Sequence, residues 1–139
     1  MILEYTQMMS TAIWEFNYEL AKSFYEKNKI YKPTHKNHPS NKWVRESSAH
    51  FIWLKQLVIY LDEERKYRFN LKNSHKSALI VYHLPIFIDP ENYYFRDPPQ
   101  CMPDYLKCDN SIKAYRNYYK SNEKNYMAKW TNRNIPEWW

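Results

Sequence analysis

ILEYTQMMSTAIWEFNYELAKSFYE, running from Ile2 to Glu26, decides the fold class. Ile2, Tyr5, Met9, Ile13, Phe16, Leu20 and Phe24 recur every three or four residues, which lays one apolar stripe along an α-helix. Glu4, Gln7, Thr11, Glu15, Tyr18 and Lys22 fall off that stripe. The segment therefore reads as one amphipathic helix. No capping Ser, Thr, Asp or Asn precedes it, and the pattern is already running at the second residue.

Working outward, Lys27 to Asn41 reads as a loop punctuated by Pro33 and Pro39. The stretch from Lys27 to Arg45 holds Lys27, Lys29, Lys32, Lys36, Lys42 and Arg45 and no acid, which makes it the most basic part of the chain. Ser40 to Ser47 suggests a short helical turn capped by Ser40. A second long helix is expected from about Ser48 to Phe69, with Phe51, Leu54, Val58 and Leu61 on its buried side. Ser74 to Leu84 predicts a third, capped by Ser74 and stopped by Pro85. Five prolines (85, 90, 98, 99 and 103) make 85–109 a long surface loop. Asp109 or Asn110 can cap a fourth helix from Ser111 to Lys120, with the pattern continuing toward Trp130. The expected fold is all-α, a compact single-domain bundle of three to four helices spanning residues 1–139 and carrying one Pro-rich loop.

Composition narrows the function classes. The chain contains no glycine. That excludes the P-loop, the dinucleotide fingerprint, the nucleophile elbow and the EF-hand loop, each of which needs glycine backbone freedom. It also argues against many tight hairpins. No apolar run approaches the roughly 18 residues of a spanning helix. No basic start followed by an apolar stretch marks a secretory leader. The chain thus reads as intracellular, in a host cytoplasm or a viral particle, without a membrane partner. Cys101 and Cys108 are the only cysteines, so no disulfide framework is indicated. Lys and Arg number 21 against 15 Asp and Glu, a net charge of +6, which favours anionic partners, nucleic acid first.

Two constellations fit such a partner. Lys113, Arg116, Lys120 and Lys124 are spaced for one helix face, with Tyr115, Tyr118, Tyr119, Tyr126 and Trp130 interleaved. Cations neutralise phosphates and flat rings stack on bases. The plainer reading is an amphipathic helix with a wet lysine face and a tyrosine core. The second is the basic loop, with His35, Lys36 and His38 and, further on, Arg45 beside Trp43 and His50. It reads as a phosphate-contacting loop or as a solvated one. No Cys or carboxylate cluster completes a metal site around His35 and His38, so neither metal nor cofactor is expected. Glu4, an acid in a first helical turn, is by itself an ordinary dipole partner.

YKPTHKNHPSNKWVRESSAHFIWL (Tyr31–Leu54), YRF and HKS between Tyr67 and Ser77, CMPDYLKCD (Cys101–Asp109) and AYRNYYKSNEKNYMAKWTNRNIPEWW (Ala114–Trp139) resemble, in order, a family of small uncharacterised viral proteins, mostly from phages. In that family a leading segment with a stretch like DKHVVK precedes the counterpart of MILEYTQMMSTA. The resemblance therefore implies that this chain is N-terminally truncated. More distantly, the pattern is similar to the pyrimidine-dimer DNA glycosylases of the endonuclease V type. The likeness rests on an acid in an early helix, here Glu4, on Arg116 and Lys120 four apart in a late helix, and on a tail with Arg133, Pro136, Trp138 and Trp139.

The resemblance implies a compact all-α DNA repair glycosylase and AP lyase. Such enzymes kink DNA, extrude a base and attack the sugar C1′ with the mature N-terminal amine to form a Schiff base. Glu4 would be the catalytic residue, supporting the cationic sugar and moving protons in β-elimination. His35, Lys36, His38, Arg45, Lys113, Arg116, Lys120 and Lys124 would contact DNA, double-stranded for preference, or another nucleic acid. The alternative is a non-catalytic, basic, DNA- or RNA-binding or virion-associated viral protein. A third reading uses the terminal Trp138 and Trp139 to dock a protein partner.

Overall fold

The leading stripe does not form one helix. In the computed structural model, which describes all 139 residues, α1 spans Ile2–Phe16 and α2 spans Tyr18–Glu26. Asn17 separates them with extended backbone at φ −154° and ψ 94°. Its N–H closes α1 on the Ile13 carbonyl at 2.9 Å, and its side-chain oxygen accepts the Leu20 N–H at 3.0 Å to open α2. Asparagine offers the backbone this local hydrogen bond in place of helix continuation, so it ends one helix and caps the next.

The remaining helices are α3 (Pro39–Glu46), α4 (Ser48–Phe69), α5 (Lys76–His83) and α6 (Ser111–Lys120). Single 3-10 turns lie at Pro90–Asn92, Asp104–Leu106 and Asn125–Met127, and every regular element is helical. The fold is all-α with six helices, not three or four. The count rises because Asn17 divides the first helix and because residues 39–46 make a full helix. The expected caps move by one or two residues: His38 Nδ1, not Ser40, accepts the Ser40 N–H at 3.2 Å, and His75 Nδ1, not Ser74, accepts the Ser77 N–H at 3.1 Å. Pro39 takes the first position of α3, where its missing donor costs nothing. The α4 boundaries agree with the periodicity. Ser47 caps its start, and Asn70 ends it in the left-handed conformation at φ 49°. The last helix stops at Lys120, well short of Trp130. There the backbone turns extended at Ser121, whose hydroxyl bonds the Tyr118 carbonyl at 2.6 Å.

The chain divides into two compact units, Met1–Arg96 and Asp97–Trp139. In the first, α1 packs against α2, α3, α4 and α5. Met9 and Ile13 of α1, Val44 of α3, Phe51, Leu54 and Val58 of α4 and Val81 of α5 form its buried core. In the second, the Ser111 hydroxyl donates to the Pro98 carbonyl at 3.0 Å and the Tyr115 hydroxyl to that of Pro99 at 2.7 Å, which ties the Pro-rich entry to α6.

Two buried titratable groups knit the first unit. His50 is fully buried and stacked on Trp43, with ring centroids 4.2 Å apart. Its Nε2 accepts the Arg96 N–H at 3.0 Å, so the ring proton sits on Nδ1 and is donated to the Trp43 carbonyl at 2.8 Å. Burial pushes the imidazole below its ordinary value of 6.5, against the opposing pull of the Trp43 carbonyl and Glu46. Asp62 is also fully buried. Burial raises its carboxyl, but the His75 N–H at 2.8 Å, Ser74 and the Lys66 and Arg65 charges outweigh that, and the net displacement is downward.

Both displacements act in the same direction. A group whose folded pKa is depressed binds its proton more readily in the unfolded chain, so stability falls as pH falls. His50 withdraws its contribution as pH drops below the ordinary imidazole value of 6.5, and Asp62 withdraws its own below 3.8. Urea unfolding across pH is expected to show both losses. His50→Phe should leave two backbone groups unpaired, cost about 2–4 kcal/mol at neutral pH, and remove its share of the slope below 6.5. An unchanged slope in that variant would reject this role for His50.

Candidate nucleic-acid interface

Each candidate residue takes its role from local structure. In the first unit, His35 sits left-handed at φ 47°, its Nδ1 2.8 Å from the Thr34 hydroxyl. His38 is the α3 cap. Lys36 pairs with Glu15 at 2.8 Å, and the Lys36 carbonyl accepts from Arg45 Nη2 at 2.9 Å. Three of the four loop candidates thus serve the loop's own geometry, with Lys36 already neutralised. Lys27, Lys29 and Lys42 are exposed along the same stretch. No group of three or more His, Cys, Asp or Glu side chains is placed to hold a metal ion. Glu4 lies in the exposed first turn of α1, its Oε2 3.2 Å from the Met1 amino nitrogen.

In the second unit, Lys113, Arg116 and Lys120 lie on α6, as their spacing implies, whereas Lys124 lies beyond its end. The face they form is not one continuous helical stripe, because Ser121 breaks the helix first. Aromatic residues hold three of them: Arg116 and Lys124 lie over rings, and Lys120 bonds the backbone of one. The Arg116 guanidinium lies over the Trp138 ring, 5.0 Å from its centroid. Lys120 Nζ donates to the Trp138 carbonyl at 3.0 Å, so two cations one turn apart hold one tail residue. Lys124 Nζ lies 5.4 Å from the Tyr118 ring centroid. The tail continues the aromatic surface: Trp139 packs on Trp130 at 5.0 Å and on Trp138 at 5.7 Å.

Charge completes the geometry. From Ser111 onward, Lys113, Arg116, Lys120, Lys124, Lys129 and Arg133 stand against only Glu123 and Glu137. Glu123 bonds the Tyr105 hydroxyl. No carboxylate pairs with Lys113, Arg116, Lys120 or Lys124. A guanidinium over an indole keeps its charge and gains the ring's negative face. The seating of Arg116 on Trp138 spans 22 positions, so the i, i+4 spacing of Arg116 and Lys120 exposes only the cationic half of it.

No protein-family model matches the chain, no curated protein sequence matches it, and no solved structure matches its fold. No helix is long and apolar enough to cross a membrane.

The Trp138 ring current should shift the Arg116 side-chain protons upfield in the proton NMR spectrum. Trp138→Ala is expected to remove that shift, while the residue 138 carbonyl that accepts from Lys120 is retained. Arg116 resonances at random-coil positions in the parent protein would refute the stacked geometry.

Proposed function

We propose that the protein binds nucleic acid through the cation–aromatic surface of α6 and the C-terminal tail, DNA being the first candidate. The carrying observation is that Arg116, Lys120 and Lys124 are held on aromatic residues with no carboxylate to neutralise them. Phosphates supply the missing counter-charge, and the exposed Tyr119 and Tyr126 rings offer stacking surface for bases. The net charge of +6 supports the same sign of partner. In the loop, Lys36 and His38 are committed to structure and contribute less, while Arg45 acts through its hold on the Lys36 carbonyl.

Affinity, followed by fluorescence anisotropy of a labelled duplex, is expected to fall steeply with salt. Arg116→Ala/Lys120→Ala should weaken binding and reduce the log–log salt slope by about 2, roughly one for each phosphate no longer neutralised. Lys36→Ala should change affinity far less. Binding that ignores salt, or a double variant that binds like the parent, would overturn the proposal.

The resemblance to the endonuclease V type glycosylases extends this reading to DNA repair, with Glu4 as the catalytic carboxylate. Its support in the structure is a solvent-facing carboxylate, 71% exposed, on the first turn of α1. Borohydride trapping on DNA containing an abasic site tests it. A covalent adduct is expected from an N-terminally extended form if not from this chain, and Glu4→Gln should abolish strand cleavage while leaving binding nearly intact. Cleavage that persists in Glu4→Gln removes Glu4 from the chemistry. Binding without any adduct leaves the non-catalytic viral nucleic-acid-binding reading standing.

A further inference from the structure

A cleft of about 540 Å³ opens in the first unit between the end of α2, the extended segment that follows it, and α5. Its volume lies in the range of small-ligand sites, about 300–1,000 Å³. None of the candidate nucleic-acid contacts lines it. Its floor is apolar, with Ile30 and Ile80. Tyr25, Tyr31, Gln7, Asn28 and Lys32 also line it.

The Tyr31 wall is rigid. Its N–H donates to Ser10 Oγ at 3.2 Å, its carbonyl accepts Trp14 Nε1–H at 2.9 Å, and its hydroxyl is 3.0 Å from Ser77 Oγ. Asn28 is held left-handed at φ 55°, with its N–H on the Tyr25 carbonyl at 2.9 Å. The two amide tips, in contrast, have no internal partner, and the Lys32 ammonium has only a ring beside it. Neither the Gln7 nor the Asn28 side-chain amide makes a hydrogen bond within the protein, and no carboxylate neutralises Lys32. Its ammonium stands 5.7 Å from the Tyr25 ring centroid.

We propose that this cleft binds a nucleotide, its base between the tyrosine-lined walls with its edge read by Gln7 and Asn28, and its phosphate held by Lys32. Each free amide offers a donor and an acceptor together, the pattern that complements the N6/N7 or N1/N6 edge of adenine. A purely apolar ligand would leave both amides and the ammonium desolvated without partners, and a peptide would have no use for the two flat walls beside a single cation. The nucleotide is either free or the 5′-phosphorylated end of a strand. Both present the same base and phosphate.

The test is titration of the isotopically labelled full chain with adenosine 5′-monophosphate, with adenosine, with inorganic phosphate and with a 5′-phosphorylated oligonucleotide beginning with adenine. The monophosphate is expected to shift amides from Tyr25 to Thr34. Adenosine should bind about tenfold more weakly without its charged group, and phosphate alone more weakly still. Gln7→Leu/Asn28→Gly should weaken binding by about tenfold or more, the glycine preserving the left-handed turn. Lys32→Gln should erase the difference between nucleotide and nucleoside. Shifts of the amides from Tyr25 to Thr34 with the oligonucleotide but not with the mononucleotide identify a strand end as the source; shifts of those amides with both identify a free nucleotide as sufficient. Arg116→Ala/Lys120→Ala should leave mononucleotide binding unchanged, so this site and the α6 surface stand or fall separately. No shift with either nucleotide, equal binding of inorganic phosphate, or a Gln7→Leu/Asn28→Gly protein that folds and binds like the parent would overturn the proposal.

Discussion

Two extended segments with no sheet to pair in set the terms for the first unit. A buried backbone N–H or C=O left alone costs about 1–3 kcal/mol. The part-buried backbone groups of Tyr31, Thr34, Tyr94 and Arg96 find partners on the helices. Ser10, Thr11, Trp14 and Asn41 satisfy the first: Tyr31 N–H on Ser10 Oγ, Tyr31 C=O on Trp14 Nε1, Thr34 N–H on Thr11 Oγ1 at 3.1 Å, Thr34 C=O on Asn41 Nδ2 at 2.9 Å. Ser47, Trp43 and His50 satisfy the second, through both backbone groups of Tyr94 and both of Arg96. Helices thus supply the pairing that a neighbouring strand supplies in a β protein. The buried polar side chains specify where each connection lies, and the cleft beside Tyr31 inherits its rigid wall from them.

Lack of glycine tightens the same constraint. Four residues take positive φ: Asn28, His35, Asn70 and Asn132. These types tolerate the left-handed region best among residues with a Cβ. Asn28, Asn70 and Asn132 lie in turns, and all four carry a polar side chain where glycine would have had none. At Asn28 that side chain is an unpaired amide on a cleft. At His35 it is an imidazole on its neighbour Thr34. Conformational need and chemical equipment coincide at these positions, so a residue chosen for its φ also shapes the surface.

Periodicity makes the helical class legible, and for α4 it places both ends within a residue, because a capping serine and a left-handed asparagine flank a long run. It misjudges Thr11, which falls off the apolar stripe of α1 yet is fully buried. A hydroxyl that hydrogen-bonds a distant segment is indistinguishable in sequence from one that faces water. Asn17 is invisible for the opposite reason: the apolar spacing runs through it without a break, while its side chain competes locally for the backbone. Histidine caps escape because the serines beside them are the more usual choice. In the candidate interface, the spacing of Arg116 and Lys120 is readable and their shared hold on Trp138 is not, since a contact across 18 or more positions depends on how the tail returns.

The two basic regions differ in what their charges are doing. In the loop, Lys36 has Glu15, and Arg45 donates through Nη2 to a backbone carbonyl while its Nη1 is buried without a hydrogen bond. A phosphate arriving at Lys36 must displace Glu15, so much of the Coulombic gain there cancels. On α6 and just beyond it, Arg116, Lys120 and Lys124 rest on a ring face or a carbonyl, and neither neutralises them. An approaching phosphate adds an opposite charge where there was none. The aromatic seat also restricts a flexible side chain before binding, which lowers the entropy given up when a phosphate docks. Equal numbers of lysines and arginines therefore do not make equal sites. The face whose cations are positioned by uncharged partners keeps its electrostatic capacity for a ligand.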